Sequence, residues 1–394
     1  MKRHWTLVAL GLAAALVAVL IWLDQRRPST EEAARQRQHI LPGFDRARAT
    51  ELVFERPSPI TLRHEASGWW IAEPRRRADD TAVDSLLAVL EYGEIERTIK
   101  NVDAKLREKL GLGAPRIILR VEGHTLRIGA DDPSRGVYIE RDDDRDVYVA
   151  ERRLIETAGI DKRLWMSMRL TISDPTSAKQ IATDAWTLEN VSGWHVTKPA
   201  HALASGSKVD ALIQQLDRTR ALREGFGQHD QISLSLDGSL QARLGGKCGG
   251  DEAAGLYAKR SDGAELCFRE SDFDLVRAPV ETFYERRLFP LRLDDLTDVD
   301  IGPLHLRRSE GAWRVVAPAP RPADDAKVRA FLEPLLAAEA AHFSATPLAA
   351  TATRVRLATR DQEIVATVNG ASARRAGDTV TLELAAPLAL ATSF

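Results

Sequence analysis

One hydrophobic pattern occurs three times along the chain. Each copy has a tryptophan-bearing strand that ends at a proline, then a polar loop, then a helix with apolar residues at i, i+3, i+4 and i+7. The three tryptophans, each with the first apolar residue of the helix that follows, are Trp69 with Val83, Trp194 with Val209, and Trp313 with Val328. The tryptophans lie 125 and 119 residues apart. Each copy is therefore the size of a domain and not a short solenoid repeat.

Alternating apolar and polar residues predict two β-hairpins after the helix of the first and second copies, and three strands at 354–358, 363–368 and 379–384 in the third. In the first copy their strands are expected at 117–121, 125–128, 137–140 and 147–150. Helices are expected at about 80–98 and 102–110, the second ending before Gly111 as a helix C-cap favours. The second copy repeats this order, and the third has no counterpart of the closing helix.

The predicted fold class is α+β, with three tandem modules of mostly antiparallel sheet, each with a packed helix. Module 1 is expected at 48–170, module 2 at 171–292 and a truncated module 3 at 293–394. A chain of 394 residues has room for this number of domains.

An apolar run precedes the modules. Residues 5–23 are uncharged, with Lys2 and Arg3 before them and Asp24 directly after them. As a helix they would span about 28 Å, close to the hydrocarbon thickness of a bilayer. Because the run is longer than the apolar part of a cleaved signal peptide, residues 1–23 are predicted to be a transmembrane signal anchor, with cleavage as the alternative. Residues 24–47 are polar and are predicted to form a stalk.

The orientation of this anchor follows from its flanks. Lys2 and Arg3 precede it, while Arg26 and Arg27 follow it, which favours a cytoplasmic N-terminus only mildly. A single N-terminal anchor ahead of a long chain usually leaves the bulk outside the cytoplasm. We therefore expect a single-pass protein of the inner membrane with its modules in the periplasm.

Composition excludes some classes of function. Lys and Arg total 55 and Asp and Glu total 57, so the chain lacks the basic surplus that nucleic-acid binding requires. Two cysteines are too few for a four-cysteine zinc site. The sequence has no His-Glu-x-x-His, Gly-x-Ser-x-Gly or Gly-x-Gly-x-x-Gly motif. No catalytic residue, metal site or cofactor is predicted.

The tryptophans of the repeated pattern are candidates for either a ligand groove or the module cores. Because Trp69, Trp194 and Trp313 are in phase with the helices that follow, a core position is favoured. Trp70 has no counterpart in the other copies and is expected on the opposite side of its strand. It is the better candidate for an exposed contact with a partner.

Charged clusters offer further candidates. Arg75, Arg76 and Arg77 follow the first cassette and could bind an anionic group or a partner, or form a solvated loop beside Asp79 and Asp80. The densest acidic cluster contains Asp142, Asp143, Asp144 and Asp146. Because it lacks the glycine and glutamate of a calcium-binding loop, a polar hairpin turn is favoured there.

The two cysteines, Cys248 and Cys267, lie in a glycine-rich loop and in a predicted strand. In an oxidising compartment they could form a disulfide that contributes on the order of 3 kcal/mol. Free thiols remain the alternative, because the pairing depends on geometry that sequence does not give.

A resemblance to a known family rests on these patterns together with the segment Gly111-Leu112-Gly113-Ala114-Pro115 and the Val-Tyr pairs at 137–138 and 147–148. They resemble the bacterial "domain of unknown function 4340" family over residues 48–394. The resemblance implies a membrane-anchored accessory protein encoded near ABC-transporter components of the gliding-motility type, without an established activity. Module 2 departs from it by lacking the Gly-Leu-x-x-Pro segment.

We therefore expect a membrane-anchored extracytoplasmic binding or scaffold protein, an accessory subunit of an ABC-type transport or cell-envelope complex. It would contact the membrane through residues 5–23 and bind a protein partner, without nucleic acid, small molecule or catalysis. One alternative is an enzyme acting on an envelope glycan or peptide, with a site between modules. Another is a purely structural spacer.

Overall fold

The structure is a computed structural model that describes residues 38–142, 144–159, 161–227, 232–249 and 255–390. The predicted membrane anchor at 1–23 and the first part of the predicted stalk lie outside the described residues. Within the described ranges, no helix has the length and apolar character needed to cross a membrane.

The fold is α+β, as predicted, and the described residues form three antiparallel sheets of nine strands each. Sheet 1 has the order β4-β3-β2-β1-β6-β7-β8-β9-β5. Its strands are β1 Glu51–Arg56, β2 Ile60–Glu65, β3 Gly68–Ile71, β4 Arg76–Arg77, β5 Ile95–Ile99, β6 Ile117–Val121, β7 His124–Asp131, β8 Val137–Arg141 and β9 Val147–Ala150.

Sheets 2 and 3 repeat that strand order. Sheet 2 contains β10 Gln180–Thr183, β11 Thr187–Asn190, β12 Trp194–Lys198, β13 Ala202–Leu203, β14 Arg223–Glu224, β15 Ile232–Leu236, β16 Ser239–Lys247, β17 Leu256–Arg260 and β18 Glu265–Phe268. Sheet 3 contains β19 Asp298–Ile301, β20 Leu304–Ser309, β21 Ala312–Ala317, β22 Arg321–Pro322, β23 Ala340–Ser344, β24 Thr353–Ala358, β25 Glu363–Asn369, β26 Ser372–Arg375 and β27 Thr381–Leu384. Module 3, expected to be truncated, therefore has a complete sheet.

Each module places an amphipathic helix between its fourth and fifth strands. The described helices are α1 Asp80–Tyr92, α2 Ala104–Lys109, α3 Arg153–Ala158, α4 Gly206–Arg218 and α5 Asp325–Leu336. The Asp79 carboxylate caps α1 by accepting a hydrogen bond from the amide of Ala82 at 3.1 Å. The helix expected at 80–98 ends at Tyr92, because the residues after it pair as edge strand β5 with β9.

The core of module 3 shows how helix and sheet pack. Val328, Leu332 and Leu335 of α5 lie in one buried cluster with Trp313 and Val355 of the sheet. Burial of such side chains contributes roughly 1.5–3 kcal/mol each. The apolar stripe recognised in the sequence is therefore the face that α5 turns to its sheet.

Module 1 begins earlier than predicted. Ile40, Leu41 and Phe44 are buried, and the amide of Ile40 donates to the carbonyl oxygen of Gly93 at 2.8 Å. The last part of the stalk expected at 24–47 therefore belongs to module 1. Three apolar residues in a polar stretch are too few to show a period, so the sequence pattern did not identify them as core.

The chain divides into two compact units, Met1–Ser167 and Met168–Phe394. The first contains sheet 1, and the second contains sheets 2 and 3. Arg169 forms an isolated β-bridge with Arg220, so residues 168–170 belong with sheet 2 and not with module 1 as expected.

The connection between modules 2 and 3 is itself extended. Tyr284 forms a β-bridge with Ala204 beside sheet 2, and three residues later Arg287 forms one with Glu339 beside sheet 3. The amide of Leu288 then donates to a carbonyl of the same region of sheet 3. Module 3 therefore begins at about residue 286 and not at 293, and its connection contributes strand pairing to both modules.

Candidate functional site

The tryptophans of the repeated pattern lie mainly in the cores. Trp69 and Trp313 are 4% and 6% exposed, which confirms the core interpretation, while Trp194 is half-buried. The amide of Trp69 donates to the Asp80 carboxylate at 3.0 Å, and that of Trp313 donates to the Asp325 carboxylate at 2.8 Å. Each of these acids is the first residue of its helix, so it joins the helix to the tryptophan strand.

Trp70 is covered by its neighbours. Its side chain is only 7% exposed, and its indole N–H donates to the Ser67 hydroxyl at 3.0 Å. The Arg75 guanidinium lies 4.1 Å from the ring centroid and forms two hydrogen bonds, of 2.6 and 3.0 Å, with Glu65. Hydrogen bonding from Arg75 lowers the pKa of Glu65. The expectation that Trp70 offers an exposed ring is therefore corrected, because a cation–π contact covers it.

The three arginines that follow have different roles. Arg77 is buried and donates to the carbonyl oxygen of Trp69 and to the Asp80 carboxylate. Arg76 is half-buried, and its guanidinium donates to the carbonyl oxygen of Arg75 at 2.9 Å. The surface predicted at Trp70, Arg75, Arg76 and Arg77 is thus reduced to the guanidinium groups of Arg75 and Arg76, which we call the arginine surface.

The acidic turn of module 1 binds its own backbone. The Asp142 carboxylate accepts from the amide of Thr125 at 2.8 Å, and Asp144 accepts from the Tyr148 hydroxyl. This hydrogen bond lowers the pKa of Asp144. Asp143 lies outside the described residues. Over the part of the chain that is described, no group of three side chains could hold a metal ion. The described acids of this cluster instead stabilise the hairpin turn through hydrogen bonds.

A cleft of about 810 Å³ opens in module 3 between the 3-10 segment Leu293–Asp295 and two hairpin turns. Half-buried Arg308 lines this cleft and connects two of its sides, because its guanidinium donates to the carbonyl oxygens of Asp294 at 2.8 Å and Gly311 at 3.3 Å. Charged residues of both signs line the rest, namely Arg292, Asp295, Glu310, Arg360 and Asp361. This mixture selects neither an anionic nor a cationic ligand.

A structurally equivalent arginine ends the eighth strand of each module. These clamp arginines are Arg141, Arg260 and Arg375, the last residues of β8, β17 and β26. Each donates to a backbone carbonyl of the segment that leads into its module, to His39 at 3.0 Å, to Arg169 at 2.8 Å and to Arg287 at 2.8 Å respectively. The start of each module is thereby fixed to its own sheet.

The clamp arginines have different counter-groups. Arg260 forms two hydrogen bonds with Asp262, at 3.0 and 2.7 Å, and both side chains are buried. The Arg141 guanidinium instead lies 4.2 Å from the ring centroid of Tyr148. Burial of an arginine needs such a partner, since an unpaired charge in the interior is costly.

Arg375 belongs to the junction of modules 2 and 3. It pairs with Asp378 at 2.8 Å, and Asp378 accepts from the amide of Leu203 on β13 at 3.0 Å. The neighbouring Thr379 exchanges hydrogen bonds with the backbone of His201. Burial raises the pKa of Asp378 and lowers that of Arg375, each against the opposing charge of the other. A loop of module 3 is thereby bonded to an edge strand of module 2.

Cys248 and Cys267 are joined by a disulfide whose Cα atoms lie 6.0 Å apart. Both residues are buried and pack against Tyr257. The bond connects the end of β16 to β18 within sheet 2. Of the two alternatives left open by the sequence, the structure has the disulfide.

Comparison with protein families gives a match within the first two modules. Residues 69–237 match the family model "Domain of unknown function (DUF4340)". The predicted resemblance is confirmed over this range. No curated protein and no solved structure gives a significant match. The DUF4340 match runs from the tryptophan strand of module 1 through its hairpins to β15 of sheet 2, so it includes the tryptophan strand and the long helix of modules 1 and 2.

The Gly-Leu-x-x-Pro segment of the DUF4340 region has a backbone role. Gly111 has φ +75°, and a Cβ there would lie 2.7 Å from the amide nitrogen of Ala130. That amide donates to the carbonyl oxygen of Leu110 at 2.8 Å. Only glycine allows two strands of chain to approach this closely at a positive φ.

Sequence reasoning missed the clamp arginines. The signal was present in the aligned strand sequences Val137–Arg141 and Leu256–Arg260, each of which ends in arginine after a hydrophobic start. From the alternation of apolar and polar residues alone, an arginine at the end of a strand is expected to be exposed to solvent. Only the position of the lead-in backbone shows that all three arginines are hydrogen-bonded and that Arg260 and Arg375 are buried.

Proposed function

We propose that the protein is a membrane-anchored extracytoplasmic binding or scaffold protein, an accessory subunit of an ABC-type transport or cell-envelope complex. In this role it presents surfaces of its modules to a partner and performs no chemistry. The observation that carries the proposal is the junction between modules 2 and 3. A scaffold needs fixed geometry between its parts, and this junction provides it in three ways.

The junction combines backbone pairing, hydrogen bonds from a loop to an edge strand, and a buried ion pair. The connecting segment pairs with Ala204 on one side and Glu339 on the other. The loop at Asp378 and Thr379 accepts hydrogen bonds from the amides of Leu203 in β13 and of His201 just before it. Arg375 bonds to carbonyl oxygens of the connecting segment and to Asp378. Such a buried network favours one relative orientation, because every alternative leaves polar groups unpaired.

The extracytoplasmic location rests on two further observations. The Cys248–Cys267 disulfide is of the kind that persists in oxidising compartments. The uncharged run at 5–23 has the length of a membrane-spanning helix. A topology reporter tests the location directly. Alkaline phosphatase fused behind module 3 should be active in intact cells, and an inactive fusion with an active cytoplasmic reporter at the same point would contradict it.

The arginine surface of module 1 is the candidate contact for the partner. Arg75 remains more than half exposed although it stacks on Trp70 and pairs with Glu65. A pre-ordered guanidinium is suited to interfaces because little side-chain entropy is lost on binding. The DUF4340 resemblance supports a partner from an ABC-type transport complex.

In-cell photo-crosslinking tests the partner. A photoreactive residue placed at Arg76 of the full chain should capture a subunit of a transport or envelope complex, identified by mass spectrometry. The matched control is Arg321, which lies opposite Val315 in sheet 3 as Arg76 lies opposite Ile71 in sheet 1. Equal capture from both positions, or none from Arg76, would contradict the proposed contact.

A further inference from the structure

The fifth strand at the edge of sheet 2 is unusually short. Its β14 has two residues, whereas the equivalent edge strands β5 and β23 have five each. An edge strand with fewer backbone hydrogen bonds is held less firmly to its sheet. Any further interaction at this edge therefore contributes a larger share of what holds the segment than it would at β5 or β23.

Strand register shows where that interaction lies. Arg223 pairs with Cys267 in sheet 2, and Arg97 pairs with Val149 at the equivalent point of sheet 1. Arg223 and Arg97 therefore occupy equivalent positions in the two sheets, and Cys267 occupies the position of Val149. The same strand order in both sheets supports this correspondence.

The position of Asp132, the ion-pair partner of Arg97, also has an equivalent in sheet 2. Cys248 directly follows Lys247, the last residue of β16, as Asp132 follows the last residue of β7. In sheet 1, Arg97 on the edge strand bonds to the buried Asp132 carboxylate at 2.8 Å. In sheet 2, the residue at the Asp132 position forms a disulfide instead. An ion pair and a disulfide thus hold the same corner of two modules.

The edge segment 222–227 contacts both halves of the disulfide. The amide of Leu222 donates to the carbonyl oxygen of Cys267 at 2.8 Å, and Gly227 forms a β-bridge with Cys248. Gly225 lies against the sulfur atoms, where any Cβ would clash with Cys267 Sγ. The disulfide therefore joins the two parts of sheet 2 with which this segment pairs, the end of β16 and β18.

We propose that the Cys248–Cys267 disulfide is an oxidation-dependent latch that fastens the edge segment 222–227 to sheet 2. With the bond formed, the two strands that the segment pairs with are held together. With the bond reduced, the segment has only the two-residue β14 and its flanking bonds, and it opens more often. Sheet 1 needs no oxidation at this corner, because Arg97 and Asp132 hold it.

Closing the latch is a thiol–disulfide exchange. The thiolate of one cysteine attacks the disulfide of an oxidised thiol–disulfide oxidoreductase, which gives a mixed disulfide and a released donor thiolate. The second cysteine then attacks the mixed disulfide, forming the Cys248–Cys267 bond. Two protons leave the cysteines, two electrons pass to the donor, and the donor departs as its dithiol. The link to a compartment rests on the proposed extracytoplasmic location, but the latch itself does not.

Hydrogen exchange of the full-length protein in detergent tests the latch. Amides of 222–227 should exchange about tenfold or more faster after reduction with dithiothreitol, while those of β5 in sheet 1 stay unchanged. A Cys248→Ser/Cys267→Ser variant should exchange like the reduced protein without added reductant. Equal protection of this segment in the oxidised, reduced and serine forms would overturn the latch.

A second variant tests the correspondence with sheet 1 and guards against simple misfolding. Cys248→Asp/Cys267→Val places the residues of the first module beside Arg223. This variant should recover protection of 222–227 that dithiothreitol does not change. Exchange as fast as in the serine variant would overturn the equivalence of ion pair and disulfide.

The compartment is tested separately. A form lacking residues 1–23, retained in the cytoplasm of a reducing strain, should carry free thiols in non-reducing mass spectrometry, whereas the full-length chain should be bonded. A retained form that is fully bonded would overturn the dependence on the compartment. Failure of the phosphatase reporter, by contrast, would overturn the proposed location while the exchange result for the latch stands.

Discussion

Arg375 and Asp378 form an ion pair of 2.8 Å at the junction of modules 2 and 3, with each side chain only 4% exposed. Burial raises the pKa of Asp378 in spite of the adjacent guanidinium, which means that desolvation outweighs the attraction of the pair. Such a pair adds little net stability compared with apolar residues of the same shape. It does make a broken pair costly and so favours a single arrangement of the junction.

Arg375→Met should therefore destabilise the unit Met168–Phe394 strongly. The change removes the hydrogen bonds that Arg375 donates to Asp378 Oδ2 and to carbonyl oxygens such as that of Leu288, and removing one partner of a buried pair costs about 3–5 kcal/mol. Chemical denaturation of the full-length protein measures this. Arg354→Met, at an exposed position of the same sheet, should change stability by about 0.5 kcal/mol or less. Similar losses from both variants would contradict a special role for Arg375.

Asp132 should give module 1 a dependence on acid pH. Hydrogen bonds from Ser134 and Tyr138 lower its pKa to about 2, with a further contribution from Arg97. Because the folded pKa lies below the unfolded one of 3.8, its stabilisation is complete above that value and is lost as the pH falls through about 2.

The measurement compares the wild type with Asp132→Asn by denaturation at a series of pH values. The difference in free energy of unfolding should shrink from about pH 4 down to about pH 2. Asp84→Asn, at an exposed position of α1, provides the control and should show no such trend. A difference between wild type and Asp132→Asn that stays constant over this range would rule out the stabilising role of the charged carboxylate.

Trp70 and Arg75 should be energetically coupled. The guanidinium lies 4.1 Å from the ring centroid, and cation–π pairs of this kind contribute about 0.5–1 kcal/mol at exposed sites. A double-mutant cycle with Trp70→Leu and Arg75→Ala should give a coupling of that size. The same cycle with Arg76→Ala should give a smaller coupling. If the two cycles agree, the stack does not stabilise the protein.

Much of the fold was predictable because it follows from periodicity. The stripe that begins at Val83 and the alternation at 117–121 are local signals, and they gave the helix, the hairpins and the antiparallel α+β class. The short edge strands β4 and β5 were not predictable in this way. Two to five residues carry too little pattern, and they become strands because the neighbouring ladder supplies hydrogen-bond partners.

The candidate site was less predictable, since its properties depend on contacts between distant residues. Trp70 looked exposed because alternation places it opposite Trp69, but Arg75 folds back over it. The three arginines formed one cluster in sequence and separate into a buried Arg77 and two accessible neighbours in structure. The exposure of a side chain depends on which other segments of the chain pack over it. The periodicity of hydrophobic residues along one strand does not contain that information.

Gly111 and Gly123 provide a matched test of why the DUF4340 segment needs its glycine. Both have positive φ, +75° and +82°, but a Cβ at Gly123 meets nothing within 4 Å. Gly123→Ala should cost only the strain of the left-handed backbone, about 1–2 kcal/mol. Gly111→Ala should cost about 1–3 kcal/mol more, because its Cβ would press on the Ala130 amide that bonds to Leu110. Denaturation of the two variants gives the difference, and equal costs would show that backbone conformation, and not close approach, fixes glycine at 111.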